Sequence, residues 1–155
     1  MFYYIIMKIV KKIKGFFITL VELNNTPHEI ALGVAVGVFI GITPLYGFHT
    51  ILAVLAALLI PRTHKIAIII GSNISLPITA PFISWTGYQI GRFLLNKNFP
   101  DIRLSTLKHF SYKEIGDILY PLFLGSFILG IIGAFVFYFI ILFAIKKKRG
   151  RTKSE

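Results

Sequence analysis

Two long apolar stretches, each interrupted near its middle by a polar motif with proline and glycine, constrain the fold of this chain more than any other feature. The first runs from Ile30 to Ile60 around the motif GITPLYGFHT, and the second from Ile66 to Leu95 around GSNISLPITAP. A helix of ~30 residues would be about 45 Å long, which exceeds the ~30 Å hydrocarbon core of a bilayer. Each stretch must therefore tilt, break or fold back. Paired breaks of this kind are typical of sites near the bilayer midplane.

The composition predicts a membrane protein. Hydrophobic residues make up 55% of the 155 residues and the mean hydropathy is +0.77, which is too apolar for a soluble chain of this size. The absence of cysteine excludes disulfides, thiol catalysis and thiolate metal sites. The net charge is +11, but the basic residues flank the apolar runs. We therefore expect a lipid bilayer with anionic headgroups as the partner, and no nucleic acid.

The sequence predicts one membrane domain, residues 1–145, followed by a basic cytoplasmic tail, residues 146–155. The domain is built from helical segments joined by polar residues. In chain order they are an interfacial helix (1–23), two interrupted membrane segments (30–60 and 66–95), a polar connection (96–118) and an uninterrupted transmembrane helix (119–145).

The first 23 residues are typical of an amphipathic helix that lies on a membrane surface. On a helical wheel, Lys8, Lys11, Lys12 and Lys14 share one arc, and apolar side chains cover most of the rest. A signal peptide is the alternative interpretation. It is disfavoured because the lysines interrupt the apolar run and no small-residue cleavage site follows.

These patterns together predict an all-α integral membrane helical bundle with several passes in the inner (cytoplasmic) membrane. Both termini are strongly basic, which places both in the cytoplasm and requires an even number of crossings. The three apolar segments give an odd number, so one interrupted segment should be a hairpin. We favour Ile30 to Ile60 as the re-entrant one, because Arg62 and Lys65 then stay cytoplasmic.

Small residues at four-residue spacing predict close contacts between helices, since they let two helix backbones approach each other. Three such sets occur in the apolar segments. Their members are Gly33, Gly37 and Gly41, then Gly87 and Gly91, and finally Ser126, Gly130 and Ala134.

The two breaks supply the candidate polar centre. A break leaves backbone groups without partners where water cannot easily reach them, so we expect the two breaks to meet and satisfy each other. Asn73 is best suited to bridge them, with His49 as its partner. The cluster is either a substrate site or a staple between two kinked helices. Its residues are Thr43, Pro44, Gly47, His49, Thr50, Ser72, Asn73, Pro77 and Thr79.

The chain offers little for catalysis. No Asp or Glu occurs between Glu29 and Asp101, so the interrupted core lacks the carboxylates that proton relays, hydrolysis and hard-metal sites use. The four histidines have no metal-ligand spacing. We therefore predict no catalytic residues, no metal and no cofactor, and we expect His49 to hydrogen-bond a carbonyl freed by the break.

Several motifs carry a resemblance to a known family. The runs ALGVAVGVFIGITPLYGFHTILAVLAALL, GSNISLPITAP, YQIGRFLL and PLFLGSFILG resemble the bacterial membrane family named domain of unknown function twenty sixty-two, from about Ile13 to Ile145. The family's Gly-Pro-Gly-His/Gln pattern is matched by Gly41, Pro44, Gly47 and His49. Its second motif, Asn-Pro-x-Thr, is altered here, because Ile74 follows Asn73 and the proline comes at Pro77.

The resemblance implies an envelope context without an established activity, because some family members are joined to glycosyltransferase-like domains. One hypothesis is a transport or permeation module for a hydrophobic or lipid-linked envelope intermediate. Such a role would require a homo-oligomer, since one copy offers few helices to enclose a path. The alternative is a non-catalytic scaffold or anchor for an envelope-synthesis partner of the glycosyltransferase type.

Overall fold

The computed structural model describes residues 7, 11, 14–15, 18–20, 25–45, 47–73, 79–95 and 112–152, and over these residues it is helical with no strand. This confirms the predicted all-α class. We number the continuous helices in chain order as α1 (Pro27–Ile42), α2 (His49–Leu59), α3 (Lys65–Ser72), α4 (Ala80–Leu95) and α5 (Tyr112–Thr152). Within the described part of the chain, one helix, Gly116–Gly150 of α5, is long and apolar enough to cross a membrane, which suggests membrane association.

Local chemistry fixes both ends of α1. The backbone N–H of Glu29 donates to Thr26 Oγ1, and the Glu29 carboxylate accepts from the backbone N–H of Thr26, each at 3.2 Å. This reciprocal capping box satisfies N–H groups that a helix start leaves unpaired. The helix ends at Ile42 because Pro44 disfavours a helical conformation at Thr43, whose φ and ψ are −63° and 142°.

The chain reverses direction between α1 and α2, so that α1 and α2 form a hairpin. Gly47 lies in this turn with φ +89°, a backbone conformation that favours glycine. After α2, the backbone N–H of His64 donates to the carbonyl oxygen of Glu29 at 3.2 Å. The first interrupted segment thus ends beside the start of α1.

Helix α3 then runs parallel to α1 in close contact. A Cβ placed on Gly33 would lie 2.8 Å from the carbonyl oxygen of His64, and one on Gly37 would lie 2.7 Å from the backbone nitrogen of Ser72. Contacts that advance in the same direction along both helices show that the two are parallel. Ala67 and Ile68 are fully buried at this contact.

Helix α5 packs antiparallel to α1 along its C-terminal half. Arg149 donates to the carbonyl oxygen of Asn25 at 2.7 Å near the start of α1, and the rings of Phe39 and Phe127 meet edge to face at 5.4 Å near its end. Buried aliphatic side chains from both helices fill the space between them, joined by α3 and Leu20. They are Ile30, Ala31, Val34, Val38, Ala67, Ile141 and Ile145.

The N-terminal half of α5 packs against α4 instead. Gly87 faces Ser126, and Gly91 faces the backbone carbonyl of Pro121, so α4 is antiparallel to α5. Because α3 is also antiparallel to α5, α3 and α4 point the same way. The second interrupted segment therefore continues past its break without reversing.

This topology gives the bundle two distinct ends. One end, which we call the basic end, contains residues 25–29, 61–65 and 145–150, where Arg62, Lys65 and Lys146 are exposed. The other, which we call the far end, contains the last turn of α4 and Gly116 of α5. Helix α5, about 60 Å long at ~1.5 Å per residue, joins the two ends.

Helix α5 is longer than the predicted membrane-spanning residues 119–145. Helix α5 begins at Tyr112, within the predicted polar connection, and continues beyond Ile145 into the predicted basic tail. Lysine and arginine are good helix formers and are stabilised near a helix C-terminus, which explains the extension. Most of the predicted interfacial helix lies outside the described residues. Those that are described, Met7, Lys11, Lys14, Gly15 and 18–20, are helical.

A candidate polar site at the two helix breaks

Both helix breaks begin at the same end of the α1–α3 pair, the end away from residues 25–29 and 61–65. The parallel helices α1 and α3 end at Ile42 and Ser72, and a break follows each of these residues. Ile42 Cδ1 lies 2.7 Å from the position that a Cβ on Gly133 would take. Gly133 is near the middle of the apolar part of α5. The first break therefore begins beside the middle of the apolar part of α5.

In the first break, a ring nitrogen meets a carbonyl that the helix end has freed. His49 Nε2 lies 2.9 Å from the carbonyl oxygen of Thr43, and the Thr43 hydroxyl donates to the carbonyl oxygen of Ile40 at 2.6 Å. A carbonyl oxygen only accepts, so Nε2 must carry a proton for this bond to form. This is the kind of contact predicted for His49.

The second break begins with two side chains that bond the same backbone group. The Ser72 hydroxyl and the Asn73 amide donate to the carbonyl oxygen of Ile69, at 2.9 and 2.8 Å. Ser72 is buried beside Gly37, whereas Asn73 is exposed. Pro77 lies outside the described residues. Thr79 is exposed, and its carbonyl oxygen accepts from the backbone N–H of Ile83 in the first turn of α4.

Exposure differs sharply on the two sides of the breaks. Gly47 and Thr50 in the first break are exposed, and a Cβ on Gly47 would meet nothing within 4 Å. Ala53 and Ile68, one turn nearer the basic end, are 0% exposed. The candidate site is therefore closed by packed side chains toward the basic end and open on its other side.

The predicted bridge between the two breaks is a hydrogen bond between the side chains of Asn73 and His49. The described hydrogen bonds of His49 and Asn73 run within their own segments. A direct contact between these two side chains stays a prediction. The hydroxyl, amide and imidazole groups of the two breaks can hydrogen-bond a polar ligand, and the described residues of the breaks include no carboxylate.

Comparison with known proteins identifies the family. The model of a family of uncharacterised proteins conserved in bacteria, DUF2062, matches residues 10–154. The chain belongs to this family. No curated protein and no solved structure matches it. The matched residues include both breaks and all five helices, so the candidate site of this DUF2062 chain lies within its family domain.

The small residues singled out in the DUF2062 chain lie mainly at two helix contacts. Gly33 and Gly37 face α3, while Gly87 and Gly91 face α5. Of the remaining members, Gly41 is buried, Ser126 faces Gly87, Gly130 faces the ring of Phe39, and Ala134 is half-buried.

Sequence reasoning missed the partners of these residues in the DUF2062 chain. A Cβ placed on Gly71 would lie 3.1 Å from Gly37 Cα, and Gly125 faces the backbone carbonyl of Gly87. Gly71 follows Ala67 at the same four-residue spacing, so that signal was present. Gly125 directly precedes Ser126, and its role depends on which face of α5 meets α4.

Proposed function

We propose that this protein crosses the bacterial inner membrane with α3–α4 and again with α5, and that the α1–α2 hairpin enters from the basic end and returns to it. The hydrogen bond from His64 to Glu29 at the base of the hairpin supports the re-entrant arrangement. The common direction of α3 and α4 supports a single interrupted crossing. The basic end then faces the cytoplasm, and residues 1–23 lie on that membrane surface.

Cysteine labelling tests this topology, since the chain has no native cysteine. We expect Gly15→Cys and Gly150→Cys to react with a membrane-impermeant maleimide only from the cytoplasmic side, and Gly116→Cys only from the opposite side. All three glycines are exposed and have no atom within 4 Å of an added Cβ, so the substitutions disturb no packing. Labelling of Gly116→Cys and Gly150→Cys from one side would contradict the two crossings.

The function that we propose is transport or permeation of a hydrophobic or lipid-linked envelope intermediate, without an enzymatic step. The observation that supports it is that both polar breaks begin at the same end of the α1–α3 pair, beside the apolar part of α5, and that Gly47, Thr50 and Asn73 within them are exposed. Non-helical backbone at this depth is tolerated only where protein buries it or it lines a wet cavity. A homo-oligomer would complete the enclosure, because two helices cannot surround a path.

A second candidate is a non-catalytic scaffold for an envelope-synthesis partner of the glycosyltransferase type. It is favoured by the hydrogen bonds of His49 and Asn73, which tie each break to its own helix. In that role the polar side chains stabilise the bends in the two segments. No ligand then needs to reach them.

Alanine substitutions separate the two roles. If the breaks bind a lipid, His49→Ala and Asn73→Ala should keep the folded yield within about twofold and lose a co-purified lipid in native mass spectrometry. If they are staples, both variants should lower the yield and the melting temperature, because each loses a hydrogen bond to its own helix end and a typical hydrogen bond contributes about 1 kcal/mol. Thr63→Ala is the matched control, since it removes a similar bond of 2.8 Å to Ile60 at the basic end.

A further inference from the structure

Helix α4 carries a polar stripe on the face that points away from α5. Trp85, Gln89 and Arg92 are spaced by four and three residues and so share one side of the helix. Trp85 is 57% exposed, Gln89 is exposed and Arg92 is half-buried. The opposite face is packed against α5 through Gly87 and Gly91.

The depth of this stripe makes its polarity unusual. Its level is given by the contacts of Gly87 with Ser126 and of Gly91 with Pro121, which lie in the far half of α5's apolar run. An aromatic belt would account for Trp85 but not for an exposed amide one turn away. Polar and charged side chains in a membrane segment are costly and commonly mark a functional site.

The guanidinium group of Arg92 is held in place on the helix surface. Its central carbon lies 5.8 Å from the centroid of the Tyr88 ring, a cation–π geometry, and Tyr88 itself is only 2% exposed. The buried Tyr88 ring thus holds the guanidinium group close to the surface of α4. The three side chains thus present an aromatic surface, an amide and a positive charge on one continuous face.

We propose that this stripe binds a phosphate-bearing lipid of the leaflet at the far end. Arg92 pairs with the phosphate, Gln89 donates a hydrogen bond to the headgroup, and Trp85 packs against its apolar part. The stripe leads from the far end toward Thr79 at the second break, and the candidate site is closed toward the basic end. The inference rests on the proposed membrane placement of α4 and names the substrate class for the proposed transport role.

The single tryptophan of the chain makes the test direct, because Trp85 reports on this stripe alone. The full chain is reconstituted in vesicles containing brominated phosphatidylcholine or brominated phosphatidylglycerol, and quenching of Trp85 fluorescence is measured. We expect the anionic lipid to occupy the site about fivefold more favourably than the neutral one. Arg92→Gln should reduce this preference to near one, and Arg92→Lys should retain most of it.

Control variants and competitors decide between explanations. Arg62→Gln, at the basic end, should leave the lipid preference unchanged. Gln89→Leu is a second test of the stripe that does not depend on the folding of Arg92→Gln, and it should lower the lipid preference about twofold. Equal quenching by both lipids, or a preference that survives in Arg92→Gln, overturns the proposal. Loss of the preference in inorganic phosphate, but not in chloride of equal ionic strength, would identify a soluble anion as ligand and also overturn it. Absence of quenching by any lipid would instead refute the membrane placement of α4.

Discussion

Replacing Gly91 with leucine should separate α4 from α5 and remove most of the folded protein. A Cβ at this position would overlap the backbone carbonyl of Pro121, and the neighbouring Gly125 faces the carbonyl of Gly87 in the same contact. The obstructing atoms belong to the backbone, so no rotamer change can make room. Overpacking commonly costs ~1–3 kcal/mol, and we expect a value at or above about 3 kcal/mol.

Size-exclusion yield and melting temperature in detergent measure this effect. Gly116→Leu is the control, because Gly116 is an exposed residue of α5 with no atom near an added Cβ. Leucine is also a better helix former than glycine, so this variant should match or slightly exceed the parent in stability. Equal stability of the two variants would show that α4 and α5 do not pack as described.

The second large effect is expected for Gly37→Leu, which acts on the other half of the bundle. A Cβ on Gly37 would meet three backbone groups of α3: the carbonyl of Ile68, the nitrogen of Ser72 at 2.7 Å and Gly71 Cα at 2.8 Å. The parallel contact between α1 and α3 should open. Ala53, fully buried beside Ile68, should then become accessible.

Accessibility of Ala53→Cys to a thiol reagent in detergent measures this opening. We expect slow labelling of Ala53→Cys alone, and labelling at least about tenfold faster when Gly37→Leu is added. A tenfold increase corresponds to a decrease of ~1.4 kcal/mol in the free energy of the local opening that exposes the thiol. Gly150→Leu, at an open position, is the control. Trp85 emission should change little in the Gly37 variant, because α4 packs on a different half of α5. Slow labelling in the Gly37 variant would contradict the close contact.

The sequence was most informative where a local rule decides the backbone. The proline and glycines of the first motif were expected to break the helix, which ends at Ile42 and resumes at His49, and Pro27 occupies the first position of α1, which suits proline. These features depend on residues within one turn of each other.

Helix pairing could not be predicted from the sequence. The spacing of Gly33 and Gly37 predicted a close neighbour, but nothing local shows that the neighbour is α3 or that it runs parallel. That choice depends on the chain reversal at Gly47 and on the bond between His64 and Glu29. The stripe on α4 was missed for the same reason, because only the contact with α5 reveals which face of α4 stays uncovered.

The candidate site was predictable as a set of residues but not as an arrangement. The hydrogen bond from His49 follows from a short loop that leaves the Thr43 carbonyl free, which local reasoning could anticipate. The two breaks begin at the same end of the helix pair because α1 and α3 have the same direction. Sequence spacing alone does not give that direction.

The contacts of α5 with α1 set the order in which this protein can mature during synthesis. The α1–α2 hairpin closes through the bond between His64 and Glu29, which are 35 positions apart, and α4 precedes α5 directly in the order of helices. The bonds from His28 to Tyr138 and from Arg149 to Asn25, in contrast, join residues 110 and 124 positions apart. Until α5 leaves the ribosome, the apolar face of α1 that contains Val34 and Val38 has no α5 side chains over it. A nascent chain is therefore most exposed to mispairing, or to capture by an insertion chaperone, just before its last helix arrives.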